Sequence, residues 1–188
     1  MSEQGFVRSA RTADVTAVAR IQIAGWRALY ADALPGDVLT ELTGDDAVHR
    51  WERQWSESVE RPPTERHRLL VATAGDAVVG FAACGPASDE DLWPRTDGEL
   101  YELHIAPGRT GEGHGSRLLN AVVDHLRDDG FTTVHTWVRD KDEARRRFLE
   151  STGWAPDGVT RRLHLDQTGP AGEPVEMIRM HTGIPEYA

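Results

Sequence analysis

The sequence predicts an α/β fold in which helices are layered on one mixed β-sheet. Two observations support this prediction. Short apolar segments typical of strands alternate with segments whose apolar residues recur at helical spacing, in the order strand, two helices, three strands, helix, strand, helix, two strands. The 188 residues are also enough for one sizeable core, and they contain no internal repeat and no evident domain boundary. We therefore expect a single domain over residues 1–188.

The first third of the chain is predicted to form a strand and two helices. The strand covers Gly5 to Ala10, and Thr12 and Asp14 offer capping groups to the helix that follows. The apolar positions of this helix are Val15, Val18, Ile21, Ile23, Trp26, Leu29 and Tyr30. Pro35-Gly36 ends the helix, and we expect the second helix to run from Asp37 to about Trp55.

After a charged surface connection at 57–66, the apolar residues in the middle of the chain have the spacing that is typical of strands. The three expected strands are Arg68 to Thr73, Ala77 to Gly85 and Glu99 to Ala106. A turn at Ala74-Gly75-Asp76 joins the first two, and a strongly acidic loop from Pro86 to Gly98 precedes the third. This part of the chain is therefore expected to supply the centre of the sheet.

The last third of the chain alternates between helices and strands. An amphipathic helix runs to about Asp129, with Gly130 as its C-cap, and its apolar stripe must pack on the sheet. The remaining elements are a strand from Phe131 to Arg139, a helix from Asp142 to Gly153, and strands near Val159 to Leu165 and Val175 to His181, with a Gly/Pro-rich turn at Thr168 to Pro174 between them.

Composition limits the classes of partner. The formal net charge of −10 repels polyanions, so we expect neither nucleic acid nor an anionic membrane as a partner. The longest apolar runs, such as Ala77 to Cys84, are much shorter than the roughly 20 residues that span a bilayer, and no signal peptide is evident near Met1. Cys84 is the single cysteine, which excludes a cluster of paired thiolates. We expect a cytoplasmic protein without a metal.

The most informative segment is Pro107 to Gly115, which joins the strand ending at Ala106 to the amphipathic helix. It carries Gly111, Gly113 and Gly115, a glycine at every second position. Residues without a Cβ allow positive φ and a close approach of the backbone, so several amide groups can converge on an anion in front of a helix N-terminus. This pattern predicts a pyrophosphate site.

Two nucleotide-binding motifs do not match this segment. The spacing Gly111-x-Gly113-x-Gly115 differs from the Gly-x-Gly-x-x-Gly of dinucleotide folds, and no βαβ unit begins the chain. A nucleoside-triphosphate loop requires Lys and then Ser or Thr after its last glycine, whereas Ser116-Arg117 follows here. A glycine-rich turn without a ligand is the other alternative.

Several short motifs in this order resemble the GNAT superfamily of acyl-CoA-dependent N-acyltransferases. They are Glu99-Leu100, Leu103-x-Ile105-x-Pro107, Gly111-x-Gly113-x-Gly115-x-x-Leu118-Leu119, Phe148 and Gly153-Trp154. The resemblance covers almost the whole chain. It implies a mostly antiparallel sheet of about seven strands flanked by about four helices. It also implies transfer of an acetyl group from acetyl-CoA to a primary amine by direct attack.

The resemblance assigns most of the loop and its flanking strand to the acyl donor. The strand before the glycines would lie along pantetheine, and the loop amides would hold the pyrophosphate. The residues expected to bind acetyl-CoA are Leu103, His104, Ile105, Arg109, Thr110, Gly111, Gly113, His114, Gly115, Ser116, Asp142 and Phe148. The family usually has Arg or Gln where this chain has Thr110, so we expect the side-chain contacts to phosphate to be rerouted rather than binding to be lost.

Two carboxylates on the strand compete for the role of general base. An alkylammonium group of pKa about 10.4 is almost entirely protonated at neutral pH, so a group that removes its proton matters. When residues are counted back from the glycines without gaps, the position of the general base in the family corresponds to Glu99. We expect Glu99 to act through water. Glu102 is the second candidate, because a bulge in the strand would change which face it lies on.

The general acid of the family has no counterpart here. Many members carry a Tyr after the Phe of the last helix, whereas Leu149 follows Phe148 in this chain. Tyr101, Tyr30 or water are the possible substitutes. The second hypothesis is therefore a catalytically weak acyl-CoA-binding or sensing module on the same fold.

The acceptor is expected to bind beside the first two helices. Trp26 and Tyr30 lie four residues apart on one helical face, and they are the candidate substrate-binding residues. The acidic loop near Glu99 and the net charge favour a small cationic molecule or a peptide amine. Because dimers are frequent in the family, a homodimer is also possible.

Overall fold

The computed structural model describes residues 5–163 and 174–186. The described residues form seven strands and five α-helices. The strands are β1 (Gly5–Ser9), β2 (Arg68–Ala74), β3 (Ala77–Pro86), β4 (Asp97–Ile105), β5 (Thr133–Arg139), β6 (Ala155–Leu163) and β7 (Val175–Gly183). The helices are α1 (Val15–Tyr30), α2 (Gly36–Thr43), α3 (Asp45–Glu60), α4 (His114–Asp128) and α5 (Glu143–Glu150). The predicted turn at Thr168 to Pro174 lies outside the described residues except for Pro174.

The strands form one sheet in the order β1-β2-β3-β4-β5-β7-β6. Five of the six neighbouring pairs are antiparallel, and β4 with β5 is the parallel pair. The predicted mixed, mostly antiparallel sheet of about seven strands is therefore confirmed.

Helices cover both faces of the sheet. Leu118, Leu119, Val122 and Leu126 of α4 belong to one buried cluster, together with residues of β2, β3, β4 and β5 and with Leu149 of α5. Residues of α1 and α3 form a second cluster with the other face of β2 and β3. The predicted stripe of α4 thus packs as its period requires.

The structure corrects the predicted second helix, which was expected from Asp37 to about Trp55. Two helices, α2 and α3, occupy this region, and Gly44 separates them in an extended conformation with ψ −178°. A Cβ at Gly44 would lie 2.6 Å from the Thr40 carbonyl oxygen, so only glycine fits this break. Asp45 and Asp46 then occupy the first turn of α3, where negative charge is favourable. This break explains why five helices replace the expected four.

Arg179 on β7 ties the acidic loop to the sheet. Its guanidinium group pairs with three carboxylates, those of Asp89, Asp91 and Asp157, at 3.2, 2.6 and 2.6 Å. The Arg179 side chain is 4% exposed. Hydrogen bonding to Asp91, and then to Asp157 and Asp89, raises the pKa of Arg179 well above its ordinary value. The loop between β3 and β4 is therefore held by a buried cation.

We expect Arg179→Met to lower the free energy of unfolding by about 3 kcal/mol, since removing one partner of a buried ionic cluster leaves the carboxylates uncompensated. Arg162→Met is the matched control, because the Arg162–Glu176 pair is 71% and 49% exposed and should contribute less than about 1 kcal/mol. Urea unfolding of both variants measures the difference. Equal losses in the two variants would contradict a structural role for the Arg179 cluster.

Candidate active site

Strands β4 and β5 diverge after a short stretch of pairing. Backbone pairing covers only Asp97 to Glu99 on β4 and Thr133 to His135 on β5. At the next position the Thr136 hydroxyl, rather than a backbone amide, donates to the Leu100 carbonyl oxygen at 2.8 Å. From there β4 continues beside β3, and β5 continues beside β7. A gap therefore opens in the middle of the sheet.

Two cavities meet at this gap. The first, here called the loop cavity, has a volume of about 470 Å³, and it is lined by Leu103, Ile105, Arg109, Gly111, Gly113, His114, Gly115, Ser116, Asp142, Arg145 and Phe148. The second, here called the helix cavity, has about 520 Å³, and it is lined by Gly25, Ala28, Leu29, Asp32, His104, Ile105, Arg139, Lys141, Asp142 and Arg145. Ile105, Asp142 and Arg145 belong to both, so the cavities adjoin along β4.

The glycine loop has the conformation that an anion cradle requires. Gly111 and Gly113 have φ values of +80° and +81°, which disfavour residues with a Cβ. Gly113 is the N-cap of α4, and no side chain caps the helix. Backbone amides of the first turn of α4 are therefore available to a ligand in front of the helix N-terminus.

Charged side chains of the loop are organised around Glu112. The Glu112 carboxylate lies 2.9 Å from Arg109 Nε and 3.1 Å from His114 Nε2. Hydrogen bonds from Arg109 and then from His114 hold the pKa of Glu112 below its usual value. Arg117 donates to His114 Nδ1 at 3.0 Å and to the Glu112 carbonyl oxygen at 3.1 Å. Arg109 thus lines the loop cavity while it is paired with Glu112, and its contact with phosphate stays a prediction.

The structure brings most of the predicted donor-binding residues together. Ten of the twelve line the loop cavity: Leu103, Ile105, Arg109, Gly111, Gly113, His114, Gly115, Ser116, Asp142 and Phe148. The two exceptions have different reasons. Thr110 is exposed, and the lining of the loop cavity does not include it. His104 lies on the opposite face of β4, where it lines the helix cavity.

Sequence reasoning missed Arg145. Its side chain donates a hydrogen bond to the Leu103 carbonyl oxygen at 2.5 Å, within the gap between β4 and β5. Its backbone amide donates to Asp142 Oδ1, the N-cap of α5, at 3.0 Å. The signal was present in the spacing, because Asp142, Arg145 and Phe148 recur every three residues and therefore share one side of α5.

A β-bulge decides which way the two candidate bases face. Glu102 pairs with Ala83 and Leu100 with Cys84, which leaves Tyr101 as the extra residue of β4. Leu100 and Leu103 consequently belong to the same buried cluster although they are three residues apart. Glu99 and Glu102 precede these leucines, so both lie on the opposite, α1-facing side of the sheet.

The two carboxylates have different surroundings. Glu99 is 7% exposed, and its Oε2 accepts hydrogen bonds from the Ser88 amide at 3.1 Å and from the Ser88 hydroxyl at 2.9 Å. Glu102 is one quarter exposed, and its Oε2 lies 2.6 Å from Nε2 of His104. His104 in turn lines the helix cavity. The geometry therefore links Glu102, rather than Glu99, to a cavity.

The candidate substrate-binding residues pack beside the helix cavity. Trp26 makes edge contacts with Tyr30 and with Trp51, at ring-centroid distances of 6.0 and 5.0 Å. Tyr30 is buried against Val175 and Met177 of β7. The α1 residues that line the helix cavity are Gly25, Ala28, Leu29 and Asp32. A direct contact of Trp26 or Tyr30 with an acceptor stays a prediction.

The structure distinguishes the possible substitutes for the general acid. Leu149 is fully buried in the core beside α4. The Tyr101 hydroxyl is committed, since it donates to the Pro86 carbonyl oxygen. Burial, and then the nearby Glu102 carboxylate, raise the pKa of the Tyr30 phenol. Of these two tyrosines, Tyr30 is therefore the one whose pKa responds to Glu102.

Two carboxylates of the acidic loop are engaged in ion pairs. Asp89 and Asp91 pair with Arg179, and Asp89 also accepts from Trp137 Nε1 at 2.9 Å. These paired carboxylates therefore give no support to the expected cationic acceptor.

In the described residues no group of three or more His, Cys, Asp or Glu is arranged to hold a metal ion. No helix in 5–163 or 174–186 has the length and apolar character needed to cross a membrane.

A family model for acetyltransferases of the GNAT family matches residues 26–154, which include β4, the glycine loop and α5. The chain belongs to the acetyltransferase (GNAT) family. The resemblance inferred from the order of the short motifs is thereby confirmed.

Curated relatives of this chain are named acetyltransferases. The uncharacterized N-acetyltransferase YuaI of Bacillus subtilis is 27% identical over 132 residues, which are 70% of this chain and 70% of that protein. A mycothiol acetyltransferase of Propionibacterium freudenreichii is 31% identical over 115 residues, which are 61% of this chain and 33% of that protein. The similarity to the second protein therefore covers one third of its length.

Solved structures share the whole fold at low sequence identity. yncA of Salmonella typhimurium, solved with acetyl-CoA, has a TM-score of 0.69 at 22% identity and covers 98% of this chain and 96% of its own. The PaiA N-acetyltransferase of Thermoplasma acidophilum, solved with coenzyme A, has a TM-score of 0.72 at 14% identity and covers 96% and 99%. At these identities the likeness shows the fold.

We expect Gly111→Ala to weaken the binding of CoA by roughly tenfold, or about 1.4 kcal/mol. A Cβ at Gly111 meets no described atom within 4 Å, so the methyl group would stand in the open space of the loop cavity at a positive φ. Gly158→Ala on β6 is the matched control, because its φ is +89° and its Cβ also meets nothing described. Both should lose stability by roughly 1–2 kcal/mol. Isothermal titration with CoA would contradict the assignment if the two variants bound alike.

Proposed function

We propose that this chain transfers an acetyl group from acetyl-CoA to a primary amine. One observation carries the proposal: two cavities on opposite faces of β4 adjoin where β4 and β5 diverge. A donor and an acceptor bound on opposite faces can meet at this gap without a covalent intermediate on the protein. Membership of the acetyltransferase family supports the same reaction.

The loop cavity would hold the acyl donor. Amides around Gly111 and Gly113 and the uncapped N-terminus of α4 fit a pyrophosphate, and Arg109, which is paired with Glu112, lines the same cavity. The edge of β4 between Leu103 and Ile105 has no strand partner on the β5 side, so its backbone groups are available to the amides of pantetheine. Arg145 would release the Leu103 carbonyl oxygen for this contact.

The helix cavity would hold the acceptor. Its walls carry charges of both signs: Asp32, Asp142, Arg139, Lys141 and Arg145. The charge of Arg139 is balanced, because its guanidinium donates to both carboxylate oxygens of Asp32 at 2.6 and 2.9 Å. Lys141 forms no ion pair with any described residue. We therefore propose a primary amine that also carries a negatively charged group, in place of the purely cationic acceptor expected from composition.

The reaction needs a neutral amine and an electrophilic thioester. The amine nitrogen attacks the thioester carbonyl carbon, the carbon–sulfur bond breaks, and the electron pair of that bond goes to sulfur. A thiol of pKa about 8.5 is a tolerable leaving group near neutral pH, so Leu149 in place of Tyr does not prevent turnover. The Glu102–His104 pair lies on the acceptor side, and we propose that this pair accepts the proton.

The main alternative is a module that binds acyl-CoA and does not catalyse transfer efficiently. The buried Leu149 in place of a tyrosine is the observation that favours it. Single-domain organisation over residues 1–188, a cytoplasmic location and a homodimer stay predictions under both functions.

Release of free thiol from acetyl-CoA separates the two functions. We expect amine-dependent release across a panel that pairs each diamine with the amino acid of the same chain length, and faster release with the amino acids. Binding of acetyl-CoA without release on any amine would support the binding module, and no binding of CoA would contradict both functions. Faster release with the diamines would contradict the proposed acceptor class alone.

We expect Glu102→Gln to lower kcat by about 100-fold, because it disrupts the Glu102–His104 pair and general-base catalysis typically contributes 10²–10⁴-fold. Glu99→Gln serves as the matched comparison, because it is the same substitution on the same strand. The Glu99 carboxylate, however, accepts its hydrogen bonds from Ser88. Thiol-release kinetics at saturating acetyl-CoA should show a smaller loss for Glu99→Gln. The reverse order would assign the base to Glu99.

A further inference from the structure

We propose that Nδ1 of His104 takes the proton of the acceptor amine and that Glu102 is a positioning residue that sets the tautomer of His104. This inference rests on the proposed acetyl transfer and names the atom that receives the proton. His104 was expected from the sequence to lie along the acyl donor. Its backbone contact with the donor stays a prediction, and its side chain lies on the α1-facing side of β4, where it lines the helix cavity.

The contact with Glu102 determines which ring nitrogen is free. Nε2 of His104 lies 2.6 Å from Oε2 of Glu102, and an ionised carboxylate only accepts hydrogen bonds. The neutral imidazole must therefore carry its hydrogen on Nε2, which leaves the lone pair on Nδ1. No described residue forms a hydrogen bond with Nδ1. The geometry is that of a carboxylate–imidazole pair in which the carboxylate orients the base.

Nδ1 is directed towards helix α1. A Cβ built on Gly25 of α1 would lie 2.3 Å from Nδ1 and 3.0 Å from Cε1 of His104. Gly25 and His104 both line the helix cavity, so an acceptor bound there lies next to the imidazole. The other face of the ring packs against Phe81, with 5.4 Å between the ring centroids. Only glycine at position 25 gives the imidazole room in this orientation.

The proposed step conserves atoms and charge. The acceptor enters as an ammonium ion, and one of its protons moves to Nδ1, which forms an imidazolium beside the Glu102 carboxylate. The neutral amine then attacks the thioester carbon, the carbon–sulfur bond breaks, and the second nitrogen proton ends on the thiolate through water. His104 finally returns its proton to solvent. The products are the amide, CoA thiol and one proton.

His104→Ala and His104→Gln test the catalytic role directly. We expect both to lower kcat by about 100-fold or more while the affinity for CoA stays within about twofold. Removal of the ring leaves a space between Phe81 and Gly25, so added imidazole should restore part of the activity of His104→Ala. It should not restore His104→Gln, in which the longer side chain fills that space. Activity of either variant within about threefold of the wild type would overturn the proposal.

Gly25→Ala tests the orientation of the ring without changing either member of the pair. The added methyl group would force His104 away from its position, and we expect kcat to fall at least tenfold with unchanged CoA affinity. Gly36→Ala is the matched control, since a Cβ there meets nothing described within 4 Å. A loss of kcat that is equal in the two variants would contradict the role of Gly25.

Nitrogen-15 NMR of the histidine-labelled protein gives a readout that does not depend on turnover. We expect His104 to be the Nε2–H tautomer in the wild type and to lose this preference in Glu102→Gln. An Nδ1–H tautomer in the wild type would overturn the proposal even if the protein acetylates amines. Intact CoA binding with no turnover on any amine would instead overturn the proposed function, and the role of His104 with it.

Discussion

The limited pairing of β4 with β5 is the constraint on which the site depends. Only three residues of each strand pair, and the Thr136 hydroxyl then takes the place of the next backbone donor. Beyond this point β4 is bonded to β3 alone, so its other edge faces a gap in the middle of the sheet. Unpaired backbone groups in such a position need other partners, and Arg145 already supplies one to Leu103. The gap thus creates both a ligand-binding edge and a passage between the two faces.

The bulge at Tyr101 gives this edge its chemistry. Without the extra residue, Glu99 and Glu102 would lie on opposite faces of the sheet, and Leu100 and Leu103 could not share one core cluster. With it, Glu102 and His104 lie on the acceptor side, while Leu103 and Ile105 line the loop cavity. One strand therefore contributes a donor-binding face and a proton-accepting face.

Sequence reasoning predicted the element order, the mixed sheet and the glycine loop, because these depend on local periodicity and on residues with special backbone geometry. It did not find the break between α2 and α3 at Gly44. The requirement for glycine there comes from the close approach of a Cβ to the Thr40 carbonyl oxygen, which depends on the relative orientation of the two helices. Sequence reasoning left the choice between Glu99 and Glu102 open, because the parity of β4 depends on a bulge that the sequence shows only as a possibility. It did not find the ion pairs of Asp89 and Asp91, because their partner Arg179 lies about ninety residues away in the sequence.

The net charge of the chain and the local charge at the glycine loop have different origins. Several of the carboxylates behind the charge of −10 are paired internally, with Arg179, Arg139 or Arg68, and these pairs stabilise loops and strand ends. The anion site depends instead on backbone amides at the N-terminus of α4, whose positive field does not change with the composition of the surface. An acidic protein can therefore bind a polyphosphate ligand at this loop. The walls of the helix cavity carry both positive and negative side chains. They therefore discriminate between acceptors by the positions of the charged groups on the acceptor rather than by its net charge.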